Sequence, residues 1–462
     1  MSIGITSLPK VDGRVIGPHD PEYDAARAVF YGGTDKRPAA IVRVANAGDV
    51  SRIITFARES GTELAVRSGG HSGAGHSVSD GGIVLDLKDM HALEIDPKTH
   101  TAWAETGLTA AAYTLAADAH GLATGFGDTG SVGIGGITLG GGVGYLVRKH
   151  GLTIDDLLAA DIVTADGRLL HVDAESHPDL FWAIRGGGGN FGVVTRFHYR
   201  LHDLPTMVGG MLMLPATAEV IHSFIALSEA APEELSTIAN VMPAPPMPFV
   251  PAEQHGKLVI FGMLCYAGEV EAGERAVAPF RKLAIPIVDM VKPGRYPEMY
   301  PPDDESYHPI GTSRTMFIDS VDRGVADMIV DHLGATDAQM RVAQLRVLGG
   351  AMARVPVEAT AFAHRRSQIM VNCAALYERA DQVAVYEPWV TGFAAALKQS
   401  DAGAYVNFLI DEGPERVRAA YPGPTWDRLA AIKRRYDPTN FFRLNQNIPP
   451  AGAPGQTPLD SE

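Results

Sequence analysis

A histidine lies inside a glycine-rich turn, in the segment RSGGHSGAGHS that runs from Arg67 to Ser77. Glycine carries no Cβ, so the backbone N–H groups of such a turn can close on a bound anion. His71 stands at the middle of the turn, where its imidazole would touch the bound molecule. The segment therefore predicts a cofactor phosphate held by the backbone and a cofactor ring close to His71.

Two further glycine-rich stretches follow, at Asp128–Leu146 (DTGSVGIGGITLGGGVGYL) and at Leu180–Thr195 (LFWAIRGGGGNFGVVT). The first of them lacks the glycine spacing and distal acidic residue of a Rossmann dinucleotide site, and it lacks the Lys-Ser/Thr of a P-loop. Two interpretations stay open for it: tight packing of loops over a sheet, or a second wall around the same extended anion, such as a pyrophosphate. Each stretch alone is a weak signal, but three in one region favour a binding site.

Other candidate catalytic residues are few. Tyr405 and Asn407, in the segment GAYVNFL, lie on a predicted strand. They are either alternating side chains of a half-buried strand, or they include a tyrosine whose pKa is lowered by a nearby cation or cofactor edge and which acts as a base. The chain has no His-Glu-x-x-His pair and no Gly-x-Ser-x-Gly motif, so neither a zinc site nor a serine nucleophile is expected.

Composition limits the classes of partner. The chain has 462 residues, a formal net charge of −15, 46% hydrophobic residues and 20% charged residues, which is typical of a soluble globular protein. Its negative charge argues against nucleic acid and anionic membranes as partners. We expect neither a signal peptide nor a membrane span. The only two cysteines, Cys265 and Cys373, fit a reducing cytoplasm.

Residues 36–205 alternate short predicted strands and helices. Asp49 is predicted to cap a helix that ends at Gly61, and Asp166-Gly167 is predicted to close a hairpin. Other predicted elements are strands at 63–67, 83–87 and 192–201, helices at 109–120 and 178–185, and hairpins across 94–104 and 158–172. Hairpins mixed with helices favour an α+β arrangement over a regular βαβ series.

After Pro205 the glycine runs disappear, and long predicted helices alternate with strands that suit one sheet covered by helices. The helices are predicted at 218–231, 272–283 and 383–399, and the strands at 258–266, 340–348 and 368–377. Two proline-rich loops, Met242–Pro251 and Arg295–Pro309, have a length that is often functional in a compact domain. We predict a second domain at residues 206–399.

Taken together, these segments resemble the flavin-dependent oxidases of the vanillyl-alcohol oxidase superfamily. More narrowly, they resemble its berberine-bridge-enzyme-like group, in particular bacterial members of the nicotine-oxidase type. The resemblance is carried by RSGGH, GSVGIGGITLGGGVGYL, DLFWAIRGGGGNFGVVT and YDPTNFFRLNQNIPP, the last at Tyr436–Pro450. It implies an α+β fold with a two-subdomain PCMH-type FAD-binding domain at 1–205 (core about 36–205), a substrate domain with an antiparallel sheet covered by helices at 206–399, and a segment at 400–462 that completes the FAD domain.

The resemblance implies FAD as the cofactor, joined through its 8α-methyl carbon to His71. Relatives with a second covalent bond carry a cysteine at about the place of Thr129, so a single bond is expected here. Val132 matches a small residue that gives oxygen access to the flavin in oxidases, and Tyr405 matches a tyrosine used as base in some sugar-oxidising relatives. The remaining expected cofactor-binding residues are Arg67, Ser68, Gly69, Gly70, Ser72, His76, Ser77, Gly133, Gly135, Gly136, Gly140, Gly142, Gly144, Val194, Asn407, Asn445 and Asn447.

The implied function is an FAD-linked oxidase. A hydride would pass from a small organic substrate (an alcohol, an amine or a secondary metabolite) to the flavin, and the electrons would pass to O2 to give hydrogen peroxide. Two alternatives stay open: a dehydrogenase with another electron acceptor, and a flavoprotein that binds a drug-like natural product as a resistance factor. The identity of the catalytic base and a homodimeric state also stay open.

Overall fold

The computed structural model describes residues 8–302, 304 and 306–453, so part of the N-terminal segment in which no signal peptide is expected lies outside the described residues. The strands of the first half are β1 (Arg14–Ile16), β2 (Ala40–Arg43), β3 (Leu64–Arg67), β4 (Ile83–Asp86), β5 (Leu93–Asp96), β6 (Thr101–Glu105), β7 (Leu122–Ala123), β8 (Leu157–Val163), β9 (Leu169–Asp173), β10 (Val193–Arg200) and β11 (His202–Asp203). Its helices are α1 (Tyr23–Arg27), α2 (Ala47–Ser60), α3 (Ala110–Asp118), α4 (Ile134–Leu139), α5 (Val147–His150) and α6 (Pro178–Ile184).

These strands form two main sheets. The first has the order β1-β2-β4-β3, in which β2 and β3 both pair with β4 in parallel. The second has the order β5-β6-β10-β8-β9 and is antiparallel throughout. Both predicted hairpins are confirmed, as β5–β6 and β8–β9. The α+β class is also confirmed, although the first sheet contains parallel strands that the hairpin pattern did not predict.

The second half is one large antiparallel sheet with helices on it. Its strands are β12 (Met207–Pro215), β13 (Leu235–Pro243), β14 (Leu258–Tyr266), β15 (Val288–Asp289), β16 (Lys292–Gly294), β17 (Ile310–Ile318), β18 (Met340–Val347) and β19 (Ile369–Tyr377). Its helices and those that follow are α7 (Ala218–Ala230), α8 (Val270–Arg281), α9 (Arg323–Gly334), α10 (Ala351–Arg354), α11 (Val383–Leu397), α12 (Pro414–Ala420) and α13 (Pro424–Tyr436). The sheet order is β15-β12-β14-β13-β18-β19-β17, with β16 also paired to β12. The predicted sheet covered by helices is therefore confirmed.

Helix α2 corrects one local prediction. Its cap is Asn46, whose side-chain oxygen accepts the N–H of Asp49 at 3.0 Å. The buried Asp49 carboxylate instead accepts the backbone N–H groups of Asp12 and Gly13, at 2.8 and 2.9 Å. The prediction that Asp49 caps the helix was wrong, because an asparagine three residues earlier satisfies the same exposed amides. Gly61 ends the helix at φ 68, as predicted.

The buried side chains fall into separate clusters. One cluster joins the large sheet to α7, α9 and α11. Another joins residues between 102 and 201 to residues between 404 and 448, so the last part of the chain packs against the first half. The boundaries at residues 205 and 399 stay predictions. Within the described residues, no helix is both long and apolar enough to cross a membrane.

Candidate active site

The three glycine-rich stretches and the C-terminal segment enclose one cavity of about 340 Å³. The predicted site residues that line it are Ser68, Gly69, Gly70, His71, Ser72, His76, Ser77, Thr129, Val132, Gly133, Gly135, Gly136, Val194, Tyr405, Asn407 and Asn445. The first two stretches meet backbone to backbone, because a Cβ on Gly69 would overlap the backbone nitrogen of Gly133. The third stretch adds Gly188, Gly189 and Asn190.

The predicted residues outside the cavity wall are Arg67, Gly140, Gly142, Gly144 and Asn447. Arg67 donates to the Asp86 carboxylate at 2.7 Å, and this buried pair holds β3 to β4. A Cβ on Gly140 would overlap the Asn407 side chain, and one on Gly144 would overlap the Phe126 carbonyl. The later glycines of the second stretch therefore allow protein to pack against protein. The earlier glycines of the stretch line the cavity, and the wall around an anion that the second interpretation gives them stays a prediction.

The cavity wall leaves room and bonding capacity for FAD. A Cβ added to Gly136 or to Gly189 would meet no atom of the described residues within 4 Å, so bare backbone faces the cavity at both places. The Asn445 Oδ1 atom is buried and has no hydrogen-bond partner. Buried polar atoms are normally bonded, so this oxygen calls for a donor from a bound molecule. The residues present fit the cofactor that the sequence implies.

The C-terminal segment is fixed to the third stretch through Asn190. Its amide nitrogen donates to the Gln446 carbonyl at 3.1 Å, and its Oδ1 accepts the N–H of Ile448 at 2.9 Å. The buried Lys433 ammonium donates to the Asn190 carbonyl at 2.7 Å and to the Asp437 carboxylate at 2.6 Å. Asn190 and Lys433 thus position the cavity wall, although the sequence did not identify either of them as a site residue.

His71 lies in the cavity as a neutral imidazole. Burial lowers the pKa of His71 from 6.5 to about 4, and a hydrogen bond with the backbone of Ser131 opposes that shift in part. Its ring stacks on Phe30 with 4.1 Å between ring centroids and 20° between ring planes. At neutral pH the imidazole therefore keeps a free lone pair in a fixed orientation. Phe30, which precedes every motif quoted above, was not predicted.

Tyr405 corrects another prediction. It lies just before a short 3-10 turn at Val406–Phe408, in a segment that pairs with no strand of the described residues, so the predicted strand is wrong. Its phenol oxygen accepts the N–H groups of Gly142 at 3.0 Å and Val143 at 3.3 Å, and the Asn407 amide at 3.0 Å. Burial raises the pKa of Tyr405, while these donors oppose the rise. This direction is opposite to the lowered pKa that the second of the two interpretations above assigns to Tyr405.

Sequence reasoning missed an ion pair beside Tyr405. Arg346 of β18 donates to the Asp128 carboxylate at 2.6 Å and to the Val143 carbonyl at 3.2 Å, and its guanidinium carbon lies 5.0 Å from the centroid of the Phe408 ring. The Arg346 side chain is 4% exposed and that of Asp128 is 24% exposed. In the sequence, Arg346 is one of two arginines on the strand Met340–Val347, and nothing there indicates its partner.

The mouth of the cavity carries aromatic rings. Phe30 and Tyr31 line it, and the Tyr307 ring centroid lies 6.2 Å from that of Phe30. The Gly32 amide donates to the Pro309 carbonyl at 3.0 Å, which fixes this segment to the predicted proline-rich loop Arg295–Pro309. That loop therefore contacts the segment that lines the cavity, but no described residue of either proline-rich loop lines the cavity itself.

Comparison with known proteins agrees with this geometry. Residues 38–173 match the FAD binding domain family, and residues 404–449 match the berberine and berberine-like family. An uncharacterized FAD-linked oxidoreductase of Bacillus subtilis is 32% identical over 96% of this chain and 99% of its own length. The (R)-6-hydroxynicotine oxidase of Paenarthrobacter nicotinovorans is 29% identical over 98% of this chain and its whole length. A crystal structure of 6-hydroxy-D-nicotine oxidase from Arthrobacter nicotinovorans superposes with a TM-score of 0.84 at 29% identity, covering 96% of this chain and 99% of that one.

Proposed function

This chain is an FAD-linked oxidoreductase of the berberine-bridge-enzyme-like family, and we propose that it is an oxidase that holds FAD covalently through His71. The observation that carries the proposal is a neutral, stacked His71 inside a cavity whose walls are three glycine-rich stretches. FAD held there would supply an acceptor for a substrate hydride and a source of two electrons for O2, which with two protons gives hydrogen peroxide.

His71 is suited to carry the covalent link. A protonated imidazole has no lone pair to form a bond, whereas the lowered pKa of about 4 keeps His71 neutral at physiological pH. The Phe30 ring restricts rotation of the imidazole, so its nitrogen faces one part of the cavity. Thr129 lines the same cavity and both cysteines are buried in the large sheet, which supports a single covalent bond.

Tyr405 is suited to take the proton that leaves the substrate O–H or N–H as the hydride departs. Three N–H donors converge on its oxygen, and they stabilise the negative charge that appears there after the tyrosine is deprotonated. The nearby Arg346 cation also favours the phenolate. Because burial raises the pKa of Tyr405, the reactive form is a minority at neutral pH, and the rate of substrate oxidation rises with pH.

Val132 supports oxygen as the acceptor. It lines the cavity beside Thr129 and Gly133, is only partly buried, and is small enough to leave space there. The substrate is a small organic molecule. The relative named for 6-hydroxynicotine suggests an amine as one candidate class, and alcohols and secondary metabolites are the others.

The test is a two-step kinetic experiment. The purified holoenzyme is reduced under nitrogen and then mixed with air-saturated buffer, while flavin absorbance and peroxide are followed. We expect rapid reoxidation of the flavin, with one hydrogen peroxide formed per reduced flavin. In Val132→Leu the rate of reoxidation should be at least tenfold lower, while the rate of flavin reduction stays the same. The matched Val132→Ala variant should reoxidise as fast as the unchanged enzyme. Slow reoxidation in air together with fast reoxidation by a quinone would make the protein a dehydrogenase instead.

A further inference from the structure

The ring of Phe30 covers one face of the His71 imidazole. The two ring centroids lie 4.1 Å apart, the ring planes differ by 20°, and both residues line the cavity. The lone pair of an imidazole nitrogen lies in the plane of the ring, so a contact on the face leaves this lone pair open. A phenyl ring carries no hydrogen-bonding group that competes for the nitrogen. Phe30 therefore fixes the imidazole without blocking its reactive edge.

A hydrogen bond holds a second side of the imidazole. One ring nitrogen of His71 donates to the backbone of Ser131, and this bond stabilises the proton on that nitrogen. A neutral imidazole carries one proton, so the other nitrogen keeps its lone pair. With one face on Phe30 and one nitrogen on Ser131, the ring turns its second nitrogen in a single direction.

Phe30 is itself held by neighbouring aromatic rings. Its centroid lies 5.0 Å from that of Tyr31, with 89° between the ring planes, and 6.2 Å from that of Tyr307, with 70° between the planes. Edge-to-face pairs of this kind favour one orientation of each ring in addition to burying it. The Phe30 ring thus keeps the plane on which the imidazole stacks.

The main chain around Phe30 is fastened to the first glycine-rich stretch. The Phe30 N–H donates to the Gly70 carbonyl at 3.1 Å. The buried Arg67 guanidinium donates to the Ala26 carbonyl at 2.6 Å and to the Ala28 carbonyl at 3.4 Å. Arg67 therefore supports the segment that carries Phe30, although it does not itself line the cavity.

The other side of this segment is fastened to residues that precede β17 of the large sheet. The ring of the exposed His308 donates through Nδ1 to the Val29 carbonyl at 2.9 Å and to the Phe30 carbonyl at 3.3 Å. A Cβ on Gly32 would lie 2.6 Å from the His308 carbonyl oxygen, so the two segments touch backbone to backbone. The position of Phe30 is therefore set by both halves of the chain.

We propose that Phe30 is a positioning residue for the covalent attachment of FAD, and that His308 supports Phe30 from outside the cavity. Phe30 holds the His71 nitrogen in a fixed direction, and fixed alignment of reacting atoms raises the rate of bond formation. His308 acts through the main-chain carbonyls on either side of the Phe30 N–H. The proposal rests on the proposed function, since it concerns attachment of the same cofactor to the same histidine.

Attachment is an oxidative bond formation whose electrons pass to the flavin. A bond forms between the imidazole nitrogen and C8α, one C8α–H bond breaks, and the C8α proton and the imidazole N–H proton are released. The two electrons of the broken C–H bond reduce the flavin, and O2 takes them with two protons to give hydrogen peroxide. Neither Phe30 nor His308 takes part in this exchange, so their substitution changes the rate of attachment and not its product.

The first test measures the rate of attachment separately from the binding of FAD. The full chain is produced in riboflavin-starved cells, mixed with FAD in air and acid-quenched at intervals, and the flavin that stays with the denatured polypeptide is measured. In Phe30→Ala and Phe30→Leu we expect the rate to fall about tenfold, while FAD binds with unchanged affinity before the quench. Phe30→Tyr keeps the flat ring and should attach FAD at the rate of the unchanged chain.

Leucine separates positioning from packing, because it fills most of the space of the phenyl ring but offers no flat face. A role in packing alone predicts that Phe30→Ala loses FAD affinity and thermal stability, and that Phe30→Leu recovers both together with the rate of attachment. That result, or an unchanged rate in Phe30→Ala, overturns the proposal while leaving FAD bonded to His71. Flavin that never becomes covalent in the unchanged chain overturns the proposed function instead.

The second test compares two exposed histidines. His308→Ala removes the donor to the Val29 and Phe30 carbonyls and leaves the cavity wall intact, so the rate of attachment should fall about threefold to tenfold with FAD affinity unchanged. His255→Ala is the matched control. The His255 ring bonds the Val250 carbonyl at 3.0 Å, in a loop that does not line the cavity, so its rate should stay the same. Equal rates in the two variants overturn the role of His308.

Discussion

The cavity wall and the adjoining face of the large sheet are built in different ways. The wall formed by residues 67–77, 127–143 and 188–194 is mainly glycine-rich main chain, which turns bare backbone to the cavity at places such as Gly136 and Gly189. The sheet face consists of side chains such as Arg346 and Met370, whose positions are set by strand register. A main-chain wall suits one unchanging cofactor, whereas the contacts of a side-chain face change with single substitutions.

The cavity wall and the sheet face meet at Tyr405. Its oxygen accepts N–H groups from the main chain of the second glycine-rich stretch, and its ring lies in one cluster with Met370 of the large sheet. The Asp128–Arg346 pair also joins the cavity wall to the sheet. Substitutions at these residues therefore test how far the cavity wall and the sheet depend on each other.

The largest effect is expected from Tyr405→Phe. The variant keeps the ring and its packing but cannot accept a substrate proton, so the rate of flavin reduction should fall by about 10²–10⁴-fold. Stopped-flow reduction under nitrogen measures this rate. The spectrum of the purified variant serves as the control, because flavin content should be unchanged. A fall of only a few fold would assign the base to another residue.

The next largest effect is expected on stability, from Arg346→Leu. This change leaves the Asp128 carboxylate without its partner, and removing one member of a buried pair costs about 3–5 kcal/mol. The lower end applies, because Asp128 is 24% exposed. Urea unfolding measures the loss. Adding Asp128→Asn to the Arg346→Leu variant should restore part of the free energy of unfolding. Equal free energies of unfolding in the single and double variants would show that the pair does not hold the cavity wall to the sheet.

A smaller effect is expected from pH. Burial lowers the pKa of His76 to about 4 and that of His150 to about 3, from an ordinary value of 6.5. Between pH 6.5 and pH 4 these histidines bind protons in the unfolded chain but not in the folded chain. The free energy of unfolding is therefore highest above pH 6.5 and falls as the pH drops toward 4. Urea midpoints across this range measure the slope. The slope should be shallower in His150→Asn, and an identical slope would mean that His150 is protonated in the folded protein.

The same contrast explains what the sequence could predict. Glycine runs and apolar runs with clear breaks are local signals, so the cofactor loops and strands such as Leu258–Tyr266 were readable. The sheet face could not be predicted, because Asn372 lies beside Gln344 only through the register of β18 and β19, which the sequence does not give. The segment around Tyr405 alternates like a strand, but amides of a distant loop bind its side chain and it pairs with no strand in the described part of the chain. Tertiary contacts decided that case.

A covalent bond between FAD and His71 survives denaturation, so the measurement to make is whether flavin stays with the polypeptide when the holoenzyme is denatured. We expect flavin fluorescence to remain on the acid-precipitated, SDS-denatured protein and a proteolytic peptide containing His71 to carry the added mass. His71→Ala should release all of its flavin, whereas His76→Ala, a neighbouring histidine of the same cavity, should retain it. Flavin released from the unchanged protein, or retained by His71→Ala, would mean that His71 does not hold FAD covalently.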